Sequence, residues 1–61
     1  MVAQLTLKEV LERGIRKEIE SQRLYIALSQ MVKDEAASDA LQKLSQQEKG
    51  HQARLEQYLR G

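Results

Sequence analysis

EKGH, residues 48–51, is the stretch of this sequence that decides how the chain folds. Its glutamate and histidine are three residues apart, so on a helix they lie on one face, about one turn apart. Apolar side chains stand seven residues away on both sides, Leu41 and Leu55 around Glu48, and Leu44 and Tyr58 around His51. The pair therefore occupies the apolar stripe of a helix, where a polar group is costly unless it is paired or binds a metal ion.

The helix that carries this stretch is predicted to begin after Asp34 and to run to about Arg60. Asp34 is a suitable N-cap, and Glu35 lies favourably at the positive end of the helix dipole. Ser38, about a turn later, is an alternative cap. The apolar stripe of this helix consists of Ala37, Leu41, Leu44, Leu55, Tyr58 and Leu59.

A first helix is predicted from the capping box formed by Thr6 and Glu9 to about Val32. Gly14 interrupts it at a cost of about 1 kcal/mol relative to alanine. Its small size would let a neighbouring helix approach closely. Because the connection near residue 33 is short, the two helices are expected to pack as antiparallel neighbours.

Glu18 lies within the apolar part of the first helix. It follows Leu11 and precedes Tyr25 by seven residues each, and Val32 continues the same line. Glu20 lies about 200° around the helix from Glu18 and should face outward. Further apolar side chains stand on both sides of this line, namely Val10, Ile15, Ile19, Leu24, Ile26, Leu28 and Met31. The apolar arc covers about two-thirds of the circumference, so this helix must be covered from more than one side.

Three possible metal ligands meet when the hairpin closes. Glu18 lies 15 residues before position 33 and Glu48 lies 15 after it, so the two carboxylates reach the same height. One hairpin thus gathers Glu18, Glu48 and His51 on one buried level. A two-fold dimer would duplicate each ligand and complete a four-helix bundle. Four carboxylates would then balance two divalent cations, and oxygen with imidazole ligands suits iron or manganese, with zinc as a substitute.

Length and composition limit the other possibilities. The 61 residues form at most one small domain, residues 1–61, with a thin core that needs a metal or a second copy. The absence of proline and the abundance of Leu, Ala, Glu, Gln, Lys and Arg predict an all-α chain. Without cysteine, disulfides cannot stabilise it. A net charge of +1 and only two aromatic residues argue against nucleic-acid binding. No apolar run approaches the roughly 18 residues of a membrane span, and without a signal peptide the default location is the cytoplasm.

This arrangement resembles the ferritin-like superfamily, especially the two-helix encapsulated ferritins and the rubrerythrin-like di-iron proteins. Those proteins carry a glutamate with a tyrosine seven residues on, matched by Glu18 and Tyr25, and then Glu-x-x-His, matched by Glu48 and His51. The 30-residue gap between the two glutamates is also similar. Ferritin-like di-iron bundles use this same set of ligands, a Glu from one helix and Glu-x-x-His from another. The chain departs from classical rubrerythrins in lacking the cysteines of a rubredoxin-like domain.

The resemblance implies an enzyme, a ferroxidase-type oxidoreductase that oxidises ferrous iron with O₂ or peroxide at a site shared by two chains. It implies two iron ions per dimer, held by Glu18, Glu48 and His51. Tyr25 would join the catalytic site by hydrogen bonding to a metal-bound carboxylate. The implied partners are a second copy, further copies in a higher homo-oligomer, and an encapsulating shell protein that would place the chain inside a protein compartment.

The residues also allow a different interpretation. A non-catalytic helical hairpin, natural or designed, would dimerise through its heptad-like seam as an interaction module. The stability of such a module would not change when a chelator removes metal ions.

Overall fold

The computed structural model describes residues 4–61, so residues 1–3 of the predicted domain lie outside the described part. Two helices, α1 (Leu7–Met31) and α2 (Glu35–Arg60), are joined by residues 32–34. Contacts between Ser29 and Ser38 near the connection, and between Gln22 and Gln52 further away, show that the helices are antiparallel. The predicted all-α helical hairpin is confirmed for this part of the chain. None of its helices is both long and apolar enough to cross a membrane.

The start of α1 is stabilised by the predicted capping box. The side chain of Thr6 accepts a hydrogen bond from the backbone N–H of Glu9 at 3.1 Å. The carboxylate of Glu9 in turn accepts from the backbone N–H of Thr6 at 3.5 Å. Two backbone donors that have no partner within the helix are therefore satisfied by side chains.

The connection between the helices is short, because the C-cap of α1, Val32, and the N-cap of α2, Asp34, are only two positions apart. Val32 adopts an extended conformation, while its N–H still donates to the carbonyl oxygen of Leu28 at 3.2 Å. Asp34 is the N-cap of α2, and its carboxylate accepts from the N–H of Ala36 at 3.2 Å. The alternative cap, Ser38, lies inside α2 instead.

Polar side chains, and not apolar ones, occupy the centre of the interface between the helices. Ser29 and Ser45 are the two buried residues, with 6% and 7% of their surface exposed, and no apolar residue among 4–61 is buried. The predicted stripe of α2 is only partly covered, with Ala37, Leu41, Leu55 and Leu59 half-buried. Leu44 and Tyr58, which the sequence places in that stripe, remain 38% and 67% exposed because they lie along the edge of the contact.

The hairpin exposes more surface than a compact protein of its mass. Its accessible surface is 5254 Å², whereas a folded monomer of 7.0 kDa exposes about 4,000 Å². The excess is about 1,200 Å² by this comparison. Much of it is apolar, because the exposed large side chains include Leu7, Val10, Leu24, Leu28, Met31, Leu44 and Tyr58. One hairpin therefore leaves the apolar arc of α1 largely uncovered.

Gly14 lies on the side of α1 that faces α2. A Cβ atom added at Gly14 would be 3.2 Å from Cδ1 of Leu55, whereas one added at Gly50 would meet nothing within 4 Å. This agrees with the expectation that Gly14 permits close approach. Both glycines lie inside helices, where glycine is less favourable than alanine.

These two glycines provide a matched test of the packing. Gly50→Ala should raise the free energy of unfolding by about 1 kcal/mol, since only helix propensity changes. Gly14→Ala should gain less, because the side chain of Leu55 must move to make room. Chemical denaturation of both variants measures the difference. Equal gains at the two positions would mean that Gly14 has no role in helix approach.

Candidate metal centre

The centres of the two helices bring together the three residues that the sequence predicts as ligands. Glu18 lies midway along α1, and Glu48 and His51 lie midway along α2. One ligand atom from each of the three side chains can be chosen so that all lie within 4.8 Å of one another. The equal distance of the two glutamates from the connection is the reason that they meet at one height.

The imidazole of His51 faces both carboxylates. Its Nδ1 atom lies 3.5 Å from Oε2 of Glu18 and 3.8 Å from Oε1 of Glu48. The carboxylate side chains are mostly covered, with 23% and 21% exposed, whereas that of His51 is 56% exposed. The predicted buried level is therefore only partly buried in one hairpin. His51 lies on the edge of the helix contact, next to the exposed Leu44 and Tyr58 ridge.

One carboxylate oxygen in this cluster lacks a hydrogen-bond partner within the described residues. Oε2 of Glu18 is buried and has no hydrogen-bond partner within residues 4–61. A buried polar atom without a partner costs about 1–3 kcal/mol, and more when it is charged. A cation would satisfy this oxygen, and two carboxylates with one imidazole are a donor set that suits iron, manganese or zinc. The residues present therefore fit a metal ion of this class.

The carboxylate of Glu48 responds to its neighbour. Its pKa is raised from the ordinary value of 4.5, first because its protonated form shares a hydrogen bond with Glu18. Burial and repulsion from the Glu18 charge raise it further, while the charge of His51 acts in the opposite direction. The nearby carboxylate of Glu18 thus favours the protonated form of Glu48, and a cation between them would favour the ionised form.

The remaining predicted positions lie away from this cluster. Tyr25 is partly buried on α1, seven residues or about 10 Å along the helix from Glu18. Its hydroxyl makes no hydrogen bond to Oε2 of Glu18, which has no partner in the described chain. The role of Tyr25 therefore stays a prediction. Glu20 is exposed, as its angular position predicts.

Several polar residues beside the site were not singled out from the sequence. Gln22 lies four residues after Glu18, and Gln52 lies four residues after Glu48. Their side-chain amides are hydrogen bonded across the interface, with Nε2 of Gln22 donating to Oε1 of Gln52 at 2.6 Å. Ser45 donates to the backbone carbonyl of Gln22 at 3.2 Å. The signal was available, because Ser38, Ser45 and Gln52 recur every seven residues.

The hairpin has two distinct faces on either side of this interface. A shallow groove on one face is lined by Gln22, Arg23, Ile26, Ala27, Gln30, Ser45, Gln46 and Lys49. None of the three candidate ligands borders it. The angular positions of His51, Leu44 and Tyr58 put them on the opposite side of α2 from Lys49. The metal centre therefore opens toward the apolar face and away from the groove.

Comparison with known protein families identifies a relationship over most of the chain. A family model described as Rubrerythrin matches residues 1–59, which is nearly the whole chain. No curated protein and no solved structure matches it.

The raised pKa of Glu48 predicts how the metal-free protein responds to pH. Above pH 4.5 an ordinary glutamate in the unfolded chain loses its proton, while the folded chain retains that of Glu48. The folded state then binds more protons, so its stability should fall as pH rises from 4.5 through the raised pKa. Thermal melting in the presence of a chelator, over this pH range, measures the effect.

Substitutions test whether Glu18 and Glu48 cause this fall in stability with rising pH. Glu48→Gln and Glu18→Gln should each remove this fall in stability, because either change abolishes the competition between two carboxylates. Glu20→Gln, at an exposed position of α1, is the control and should preserve it. A pH dependence that survives in both site variants would contradict the assignment to this pair.

Proposed function

The chain belongs to the rubrerythrin family, and on that basis we propose that two copies form a four-helix bundle whose shared di-iron site oxidises ferrous iron. Family membership suggests an iron-binding di-iron carboxylate protein of the oxidoreductase type. The observation that carries the more specific proposal is the half-complete cluster of Glu18, Glu48 and His51 at an open apolar face. Ferroxidase activity and the sharing of the site are the parts proposed here.

Ligand number and charge support a site shared by two chains. One chain offers two carboxylates and one imidazole, too few for a pair of metal ions. A two-fold axis beside His51 duplicates the set, because an isologous interface presents the same residues from both copies. Four carboxylates would then neutralise two divalent cations. A bound cation would also interact with Oε2 of Glu18, which is buried and has no hydrogen-bond partner within residues 4–61.

The apolar face supports the same arrangement. Leu44 and Tyr58 lie seven residues before and after His51, so the three share one ridge of α2. Any partner that covers this ridge also covers His51. The excess surface of about 1,200 Å² exceeds the roughly 800 Å² per partner that a standard interface buries. A second copy is the partner that adds ligands as well as apolar surface.

The residues of the site have separate tasks in this proposal. Glu18 and Glu48 would bind the cation as ionised carboxylates, so cation binding would displace any proton that Glu48 holds. His51 contributes a neutral nitrogen ligand from the exposed edge. Tyr25 orients a carboxylate. Each ferrous ion, as substrate, supplies one electron, and two electrons with two protons reduce O₂ to hydrogen peroxide or hydrogen peroxide to two waters.

The interaction-module interpretation shares the apolar face and differs in its dependence on metal. It requires only that the exposed apolar ridge be covered. If it were correct, ferrous or manganous ions would leave the melting temperature of the assembly unchanged. In the proposed function they stabilise the assembly by mass action, since they bind only the folded dimer.

Matched leucine variants test the assembly. Leu44→Gln, on the His51 ridge, should weaken the dimer and with it the stabilisation by metal. Leu24→Gln, on α1, removes an exposed leucine that we assign with Leu28 and Met31 to an outer interface. It should reduce any larger assembly and preserve metal binding by the dimer. Mass in solution, measured with and without Mn²⁺, distinguishes these results. A helical monomer of about 7 kDa for the unsubstituted chain would contradict the proposal.

Iron loading tests the chemistry. In an anaerobic titration, binding of ferrous ion should saturate at about one iron per chain, because two chains share two ions. On exposure to O₂ the bound iron should oxidise faster than iron in buffer, since two reductants are already adjacent. His51→Ala removes one ligand per ion and should slow oxidation by about tenfold or more.

Two tyrosines provide a matched control for that experiment. Tyr25→Phe should slow oxidation less than His51→Ala, because it affects only the orientation of a ligand. Tyr58→Phe makes the same change on the ridge that the proposed dimer covers. It keeps the aromatic ring, so it should slow oxidation only as far as it lowers the mass of the assembly in solution. Bound iron that oxidises no faster than free iron would favour a metal-stabilised module without ferroxidase activity.

A further inference from the structure

A series of hydrogen bonds along α2 joins the two helices. The hydroxyl of Ser38 donates to the carbonyl oxygen of Ser29 at 2.9 Å. Ser45 donates to the carbonyl oxygen of Gln22 at 3.2 Å, and Nε2 of Gln22 donates to Oε1 of Gln52 at 2.6 Å. The three α2 residues are seven positions apart, or about two turns, so the bonds follow one line of the helix.

These bonds are directional contacts in an interface that lacks a buried apolar side chain within residues 4–61. Apolar contacts are non-directional, so two apolar surfaces tolerate sliding along one another. A hydrogen bond weakens steeply once its distance and angle leave a narrow range. A slip of one turn, about 5.4 Å, would break all three bonds. They therefore favour one height of α1 against α2, in addition to the limit that the short connection at residues 32–34 sets.

The amide bridge between Gln22 and Gln52 lies at the height of the metal centre. Each glutamine is four residues after a ligand, Glu18 on α1 and Glu48 on α2. Helical side chains lean toward the N-terminus of their own helix, so each glutamine leans back over the turn that carries its glutamate. Because the helices are antiparallel, the two amides converge from opposite directions. Gln22 lies 11 residues before position 33 and Gln52 lies 19 residues after it, an average of 15. Glu18 and Glu48 each lie 15 residues from position 33, so the middle of the amide bridge is at the height of the two glutamates.

Glu56 determines the orientation of the Gln52 amide, that is, which side its nitrogen and its oxygen face. Nε2 of Gln52 donates to Oε2 of Glu56 at 3.3 Å. An ionised carboxylate only accepts hydrogen bonds, so Gln52 must present its nitrogen to Glu56 and its oxygen to Gln22. Gln22 then donates through its own nitrogen. The three side chains form one chain of bonds with a single direction.

We propose that the Gln22–Gln52 bridge is a positioning element for the metal centre, which holds Glu18 and Glu48 at one height so that both carboxylates reach the same ion. The glutamines do not bind the metal themselves. They act through the register of the helices. The effect on metal affinity rests on the proposed function, whereas the effect on helix register does not.

Three variants test the bridge. The double variant Gln22→Leu/Gln52→Leu removes both amides, so neither is left without a partner and metal-free stability should not fall. Gln52→Asn keeps an amide but shortens the side chain by one methylene, which breaks the contact with a smaller disturbance. Gln46→Leu is the control, since Gln46 is an exposed glutamine on α2 outside this chain of hydrogen bonds.

Two measurements are made on each variant. Nitroxide labels on cysteines introduced at the exposed Glu20 and Gln57 report the register, and the protein has no cysteine of its own. Excess unlabelled protein restricts the measured distance to one chain. Co²⁺ titration, followed by visible absorption and melting temperature, reports metal affinity and ligand geometry.

The unsubstituted chain and Gln46→Leu should give one narrow distance and the same Co²⁺ spectrum. Loss of the bridge should broaden or shift the distance by about 5 Å, one helical turn. Co²⁺ affinity should fall by about tenfold or more and the absorption bands should change. A merely structural role would lower the metal-free melting temperature and leave the spectrum unchanged. If the double variant does not fold, Gln52→Asn is judged by the same criteria.

An unchanged, narrow distance after loss of the bridge overturns the proposal, whatever Co²⁺ does. A displaced hairpin that binds Co²⁺ as tightly as the unsubstituted chain also overturns it. If the unsubstituted chain gives no Co²⁺ response while the distance changes on loss of the bridge, the proposed function fails. The role of the bridge in setting the height of Glu18 and Glu48 is then still supported.

Discussion

Hydrogen bonds between two antiparallel helices are the interactions on which the rest of this structure depends. Ser29 and Ser45 are its most buried residues, and both belong to these bonds. Hydrogen bonds add only about 0.5–1.5 kcal/mol each to stability, but they specify geometry in a way that apolar contacts do not. The interface between α1 and α2 is therefore specified well and stabilised weakly.

The apolar side chains have the complementary property. None among residues 4–61 is fully buried, and many lie exposed along the edges and outer faces of the hairpin, where they supply surface for burial but little information about register. A 61-residue chain buries only a small core by itself, so its stability is marginal. Polar contacts align the two helices of one chain, and apolar surface stays exposed. In the proposed dimer, the second copy would cover that surface and supply the missing stability.

The ionisable residues lie at the boundary between these two regions. Glu18 and Glu48 are mostly covered by the polar interface, whereas His51 projects to the apolar edge. Covering that edge would lower the local dielectric and make the repulsion between the carboxylates more costly. A cation removes this cost. Metal binding and burial of the apolar face thus favour one another, since each makes the other less unfavourable.

The sequence by itself determined the helices, their caps and the three residues of the candidate site. Caps depend on side chains a few positions apart, and the equal distance of Glu18 and Glu48 from the connection follows from helical rise. Only the tertiary structure decided which line of each helix faces the other. Periodicity places Leu44 and Tyr58 on an apolar stripe without saying whether the stripe meets the same chain or a different one. The structure leaves Leu44 and Tyr58 at the edge and half-buries Leu41, Leu55 and Leu59 of the same stripe. The hydrogen bonds of Gln22, Ser45 and Gln52 could not be foreseen, because their partners lie on the other helix and become neighbours only when the hairpin closes.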